Sequence, residues 1–119
     1  TKFWSTLGLI QSRDETNVEQ SVNIRFFDTD SGHSPKIELL EPLGRNTPIA
    51  KFLDKRGPGI QQLAFEVEDL DTTIQHLIDA DICMINETPA DGAHGTKIAF
   101  VHPSSTGGVL VELVQYVTQ

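Results

Sequence analysis

The sequence has one cysteine and few basic residues, and each shortage excludes a class of structure or partner. Cys83 alone can form neither an internal disulfide nor a cysteine metal cluster. Nine Lys and Arg residues against seventeen Asp and Glu give a net charge of −8, which argues against nucleic acid and anionic membranes as partners. Long apolar runs are also missing, so neither a signal peptide nor a membrane span is indicated. We therefore expect a cytoplasmic protein.

The common catalytic signatures are missing too. The sequence contains no P-loop, no nucleophile elbow and no HExxH zinc motif, and its four histidines are not spaced as metal ligands. Candidate functional residues must therefore be found from the pattern of strands and from internal symmetry.

The 119 residues are enough for one domain with a substantial core and too few for two ordinary domains. Short apolar runs predict strands at residues 22–27, 36–40, 60–67, 82–85, 97–102 and 109–116. Helices are predicted at residues 2–7, at 49–55, and after a cap at Asp69 or Asp71. The polar stretch 11–21 is expected to be loop at its centre. This mixture predicts an α+β fold.

The chain contains an internal repeat. An Ile-x-Phe strand followed, after a turn, by a strand with a central glutamate occurs twice, at residues 24–27 with 36–40 and at 98–101 with 110–114. Glu38 and Glu112 are the equivalent glutamates, 74 positions apart (112 − 38).

The repeat predicts that the first unit lacks a strand. The strand at residues 60–67 opens the second unit, and its counterpart would fall before Thr1. We expect either that the natural gene product is longer at its N-terminus or that this domain has lost one strand.

Glu112 lies within a run that is apolar on both sides, so we expect its neighbours Leu110 and Val114 to be buried. A buried carboxylate must be paired, protonated or bound to a metal, because burying a polar group without a partner costs about 2–7 kcal/mol. Glu112 is therefore either a partnered structural residue or a carboxylate directed into a cleft. Glu38 has the same two alternatives, and two carboxylates in one cleft can bind a cation or divide acid and base roles.

Five other residues are candidates for metal or ligand binding. Gln61 and Gln62 lie in the strand at residues 60–67, where an amide oxygen can be a weak ligand for a hard cation, although polar decoration of a half-buried strand is the favoured interpretation. His94 and Gly95 lie in a glycine-flanked loop, and His102 precedes a proline at a strand end.

Long blocks of the sequence closely resemble methylmalonyl-CoA epimerases of the glyoxalase, or vicinal oxygen chelate, superfamily. The resemblance covers essentially the whole chain in five blocks, at residues 36–44, 47–53, 59–67, 92–95 and 97–113. It implies paired βαβββ modules in a single domain spanning residues 1–119, with an incomplete first module at 1–57 and a second at 58–119. It also implies a homodimer.

The resemblance implies a metal-assisted 1,1-proton transfer on an acyl-CoA. A divalent cobalt or manganese ion would chelate two carbonyl-type oxygens, and protein bases would exchange the α-proton. Glu112 matches the conserved carboxylate ligand, with a role near the proton relay. Glu38 matches a Glu/Gln ligand position, and Gln62 stands where the family has a histidine ligand. A fourth ligand belongs to the strand that the first module lacks.

These departures leave three functions open. The first is an active acyl-CoA epimerase, and the second is a metal-independent member of the superfamily that binds a small ligand. The third, less favoured, is an interaction module with a vestigial cleft. A site without imidazole should bind transition metals weakly and favour harder ions.

Overall fold

The computed structural model describes residues 2–18, 21–28 and 36–117. The chain divides into two compact units, Thr1–Gly59 and Ile60–Gln119. This boundary lies close to the one expected between the modules. Most of the turn expected between the strands at residues 22–27 and 36–40 lies outside the described residues.

The first unit is a three-stranded antiparallel sheet with two helices. Its elements in chain order are α1 (Lys2–Leu7), β1 (Ile10–Asn17), β2 (Val22–Asp28), β3 (Ile37–Pro42) and α2 (Pro48–Arg56). The strand order is β1-β2-β3. Its core contains Val22, Ile24 and Ile49, against which Phe26, Leu40 and Leu53 pack.

The second unit is a four-stranded mixed sheet with one α-helix. Its elements are β4 (Gln62–Glu66), α3 (Leu70–Asp79), β5 (Ala90–Asp91), β6 (Lys97–Val101) and β7 (Leu110–Gln115). The strand order is β4-β7-β6-β5, with β4 parallel to β7 and the other pairs antiparallel. The predicted α+β class is confirmed.

Local chemistry explains where the two longer helices begin and end. Thr47 caps α2 by accepting a hydrogen bond from the Ala50 N–H at 3.2 Å, and Pro48 occupies the first turn. Gly57, with φ of 74°, ends α2 by donating its N–H to the Leu53 carbonyl at 2.8 Å. Asp69, one of the two predicted caps, accepts a hydrogen bond from the Thr72 N–H at 3.1 Å and begins α3.

The internal repeat extends to the register of the sheets. Phe26 pairs with Glu38 across β2 and β3, and Phe100 pairs with Glu112 across β6 and β7. Each pair keeps the offset of 74 residues found in the sequence. The two units therefore place their equivalent glutamates at equivalent points of their sheets.

Two strand predictions were wrong. The stretch 11–21 was expected to be loop at its centre, but β1 covers most of it. Its residues are almost all exposed, so it lacks the apolar alternation that marks a half-buried strand. Residues 82–85 make one isolated bridge, between Met84 and Val101, and the strand beside β6 is instead the two-residue β5.

The expected burial around Glu112 also needs correction. Leu110 and Val114 are only partly buried, because helix α3 covers one face of β7 and not the other. The covered face carries Leu113, which packs with Leu70, Ile74, Ala99 and Val101. Glu112 thus lies on the more open face of the strand.

No helix in the described part of the chain combines the length and apolar character needed to cross a membrane.

Leu70→Ala should lower the free energy of unfolding by about 2–5 kcal/mol, because the wild-type side chain is fully buried in the core of the second unit. Urea titration monitored by circular dichroism measures this loss. Leu63→Ala is the matched control, since Leu63 is 44% exposed and should lose about 1 kcal/mol or less. Equal losses would contradict the assigned core.

Candidate functional site

Glu112 lines a cavity of about 200 Å³ in the second unit. Side chains alternate along a strand, so the burial of Leu113 against α3 directs Glu112 to the opposite face. The other residues that line the cavity are Ala93, His94, Thr96, Ile98, Val114 and Tyr116. The structure therefore brings together two of the predicted site residues, Glu112 and His94.

The segment that carries His94 is a defined turn. Ala93–Gly95 forms a short 3-10 helix in which His94 and Gly95 both have positive φ, 56° and 77°. The buried Thr96 donates its hydroxyl to the Ala93 carbonyl at 2.7 Å. These contacts hold His94 at the rim of the cavity.

Gly92 is required at the start of this turn. Its N–H donates to the Thr96 carbonyl at 2.9 Å, which closes the segment on itself. A Cβ at position 92 would overlap the Thr96 hydroxyl and come within 2.6 Å of Cγ2 of Ile98. A larger residue would therefore displace two residues that line the cavity.

Gln62 reaches Glu112 from the neighbouring parallel strand. Ala64 lies directly beside Glu112 in the register, and Gln62 precedes Ala64 by two residues on the same face. The Gln62 side-chain N–H donates to Oε1 of Glu112 at 3.2 Å. The structure thus joins these two predicted metal ligands by a hydrogen bond in which Gln62 is the donor.

Gln61 and His102 make local contacts outside this cavity. The Gln61 carbonyl accepts a hydrogen bond from the Leu110 N–H at 3.2 Å and so joins β4 to β7. His102 caps the 3-10 helix Pro103–Ser105, with Nδ1 accepting from the Ser104 N–H at 3.0 Å. Ligand binding by either residue stays a prediction.

Glu38 belongs to a cross-strand row in the first unit. Arg13 pairs with Phe26, which in turn pairs with Glu38, so all three side chains lie on one face of the sheet. Glu38 is exposed as a residue, yet neighbouring atoms desolvate its carboxyl group and raise its pKa above the ordinary value. The positive charge of Arg13 opposes this shift in pKa.

A larger open groove of about 550 Å³ lies along the three strands of the first unit, but its polar groups bind one another. Arg25 donates two hydrogen bonds to Asp14, at 2.8 and 2.9 Å. Thr16 donates to Asn23 at 2.8 Å. These internal pairs make the groove a weaker candidate than the smaller cavity beside Glu112.

The donors near Glu112 do not by themselves fit a transition metal. Gln62 and Glu112 can ligate a metal only through oxygen, and His94 on the same cavity adds one imidazole. Zinc-like and cobalt-like sites use four ligands and favour imidazole. Within the described ranges, no three His, Cys, Asp or Glu side chains are grouped as a metal site. Metal binding by Glu38, Gln62 and Glu112 stays a prediction.

Comparison with known families shows to which superfamily the chain is related. Residues 1–100 match the Glyoxalase/Bleomycin resistance protein/Dioxygenase superfamily. The chain belongs to this superfamily. The two sheets and three α-helices formed by the described residues agree with that assignment.

Named relatives include epimerases. The chain is 42% identical over 113 residues to the uncharacterized protein YqjC of Bacillus subtilis, covering 95% of this chain and 79% of the relative. It is 43% identical over 114 residues to the mitochondrial methylmalonyl-CoA epimerase of Homo sapiens, covering 95% of this chain and 63% of the relative. A solved methylmalonyl-CoA epimerase in complex with methylmalonyl-CoA and NH4+ is 31% identical, with a TM-score of 0.73 over 98% of this chain and 84% of that one.

Glu38→Gln should raise the melting temperature at neutral pH and leave it nearly unchanged near pH 4. A raised pKa means that the folded state binds the Glu38 proton more tightly than the unfolded state does. The wild type therefore begins to lose stability as the pH rises above about 4.5, the ordinary pKa of a glutamate. The loss continues until the pH has passed the raised pKa of Glu38 in the folded state. Glutamine carries no charge to desolvate, so the stability of the variant does not fall as the pH rises through this range.

Thermal unfolding between about pH 4 and pH 7 in the presence of a chelator measures the difference. Glu41→Gln, on the other face of the same strand, controls for the removal of one carboxylate. A stabilisation by Glu38→Gln that is independent of pH would contradict the assigned desolvation.

Proposed function

We propose that this protein is a methylmalonyl-CoA epimerase-like enzyme that catalyses 1,1-proton transfer on a 2-substituted acyl-CoA. The observation that carries the proposal is Glu112, a carboxylate on the open face of β7 beside a small cavity. Its position, together with the similarity to epimerases, supports a role in proton exchange. A homodimer and a cytoplasmic location remain predictions.

The proposed chemistry begins with the acidity of the substrate. The α-carbon of a methylmalonyl thioester lies between two carbonyl-type groups, so loss of its proton gives an enolate. A carboxylate such as Glu112 can accept that proton when it lies within hydrogen-bond reach of the α-carbon. The resemblance implies that a divalent ion, if it were held beside Glu112, would supply positive charge to stabilise that enolate.

Two neighbours support the role of Glu112. The Gln62 amide donates to Oε1 of Glu112, which orients the carboxylate beside the cavity. His94 lies on the same cavity, where its ring can bind a polar group of the ligand. Both residues act by positioning or binding and need no change in their own charge.

A second candidate function is favoured by the same hydrogen bond. Gln62 donates its amide N–H to Glu112, so only its amide oxygen, a weak ligand, is left for a metal. This favours a metal-independent member of the superfamily that binds a small ligand without epimerising it. The two candidates differ in their need for a metal.

If Glu112 is a metal ligand, Glu112→Gln should abolish the thermal stabilisation by divalent metal and leave the fold intact, since Gln and Glu have nearly the same shape. The test is calorimetric titration of the demetallated protein with cobalt, manganese, magnesium and calcium, followed by melting curves. Stoichiometric micromolar binding by the wild type supports the metal-dependent enzyme. A metal-induced melting shift that is identical in Glu112→Gln would exclude Glu112 as a ligand.

Gln62→His tests whether weak metal binding is due to the residue at position 62 or to the site as a whole. It replaces an amide by imidazole, which transition metals bind more strongly. Cobalt binding that appears only in Gln62→His would assign the weakness of the wild-type site to position 62. Absence of binding in both proteins would favour the metal-independent function.

A further inference from the structure

The turn that carries His94 connects β5 to β6. Asp91 and Lys97 are the last paired residues before the turn, and they also form an ion pair across the two strands. The connection at residues 92–96 therefore joins strands whose ends are already paired. His94 lies at the middle of this connection and lines the cavity beside Glu112.

The backbone of His94 has a conformation that it does not prefer. Its φ of 56° and ψ of 37° lie in the left-handed region, where the Cβ of an L-residue approaches the following carbonyl oxygen. Residues other than glycine adopt this region uncommonly, and they stay in it only where the surrounding contacts impose it. The position of the His94 ring therefore depends on the contacts that hold the turn together.

Thr96 supplies most of those contacts. Its hydroxyl donates to the Ala93 carbonyl at 2.7 Å, and its backbone N–H donates to the same carbonyl at 3.2 Å. Its own carbonyl accepts the Gly92 N–H at 2.9 Å. Thr96 thus binds both residues that precede His94. The residue is only 7% exposed, so little water competes for its hydroxyl.

The hydroxyl of Thr96 has little freedom to leave this hydrogen bond. Threonine is branched at Cβ, so its side chain adopts few χ1 rotamers. Gly92 packs so closely against it that a Cβ at position 92 would overlap the hydroxyl. The hydrogen bond from Thr96 to Ala93 is therefore a fixed part of the turn, and a residue without a hydroxyl at position 96 would release it.

We propose that Thr96 is a positioning residue, which holds His94 where its ring can donate a hydrogen bond to an oxygen of an acyl group beside Glu112. This inference rests on the proposed function. A thioester carbonyl and a carboxylate both offer an oxygen acceptor, and a neutral imidazole has one N–H to donate. Thr96 lines the same cavity but donates its own hydroxyl to the Ala93 carbonyl, so it acts on the ligand through His94.

A double-mutant cycle tests this role, with methylmalonyl-CoA binding measured by calorimetry. His94→Asn removes the imidazole and keeps the turn, because asparagine tolerates the left-handed conformation. It should weaken binding roughly two- to tenfold, the range for one net hydrogen bond. In Thr96→Val, a methyl group replaces the hydroxyl and must stay about 3.3–3.6 Å from the Ala93 carbonyl oxygen, so the turn opens.

Thr96→Val should weaken binding by a factor no larger than that of His94→Asn. In the His94→Asn background, Thr96→Val should cause no further loss of affinity, because the ring that it positions is gone. Its effect on the melting temperature should persist in both backgrounds, since the hydrogen bond to Ala93 is lost in each. Thr96→Ser keeps the hydroxyl and should bind as the wild type does.

Thr106→Val is the matched control. It removes a threonine hydroxyl that donates to the Pro103 carbonyl at 3.2 Å, with the same spacing of three residues, in a turn outside the residues that line the cavity. It should lower the melting temperature without weakening binding.

Two results would overturn the positioning role and leave the proposed function standing. One is unchanged binding in Thr96→Val, and the other is an equal further loss in the His94→Asn background. Failure of the wild type to bind methylmalonyl-CoA would overturn both. Circular dichroism verifies that each variant is folded. If Thr96→Val does not fold, Thr96→Ala takes its place in the cycle, because it removes the hydroxyl without putting a methyl group in its place.

Discussion

Strand β7 carries Leu113 into the core on one face and Glu112 to the open side on the other, and the candidate site depends on this alternation. Leu113 packs with residues of α3 and β6, so the strand cannot rotate without losing that burial. β6 and β4 pair with β7 on its two edges and hold its register. Phe100, Ala64 and, diagonally, Gln62 are thereby placed around the carboxylate of Glu112.

The alternation of side chains along the strands also fixes the position of Glu38 in the first unit, but the residues around it differ from those around Glu112. Phe26 packs against its core and pairs with Glu38, as Phe100 pairs with Glu112. The neighbour on the far strand is a cation, Arg13, where the second unit supplies the Gln62 amide to its glutamate. The repeat thus conserves the scaffold positions, while the surroundings of the two glutamates differ in charge and in hydrogen bonding.

Much of the fold was predictable because its signals are local. Thr47, Pro48 and Gly57 mark the ends of α2, and Asp69 marks the start of α3, through caps that depend on a few neighbouring residues. Strand β1 was not predictable from alternation, because pairing with β2 and exposed ion pairs stabilise it without an apolar face. Strand β5 is too short for any periodicity to appear.

The site was predictable in part. Glu112 was recognisable from its apolar neighbours and from the repeat, and His94 from its glycine-flanked loop. Arg13 and Phe26 were missed as a pair because their contact depends on the register of a strand that was read as loop. Thr96 and Tyr116 carry no pattern of their own, and only the folded sheet shows that they line the cavity.

Proton exchange at the α-carbon is the central claim, and incorporation of solvent deuterium at that carbon of methylmalonyl-CoA tests it most directly. The experiment follows the α-proton signal by NMR in heavy water, with the chain supplied in turn with cobalt, manganese and no metal. We expect loss of the signal in the wild type and its retention in Glu112→Gln. Retention of the α-proton by the wild type with every metal, while the thioester still binds, would contradict the account and establish a binding protein.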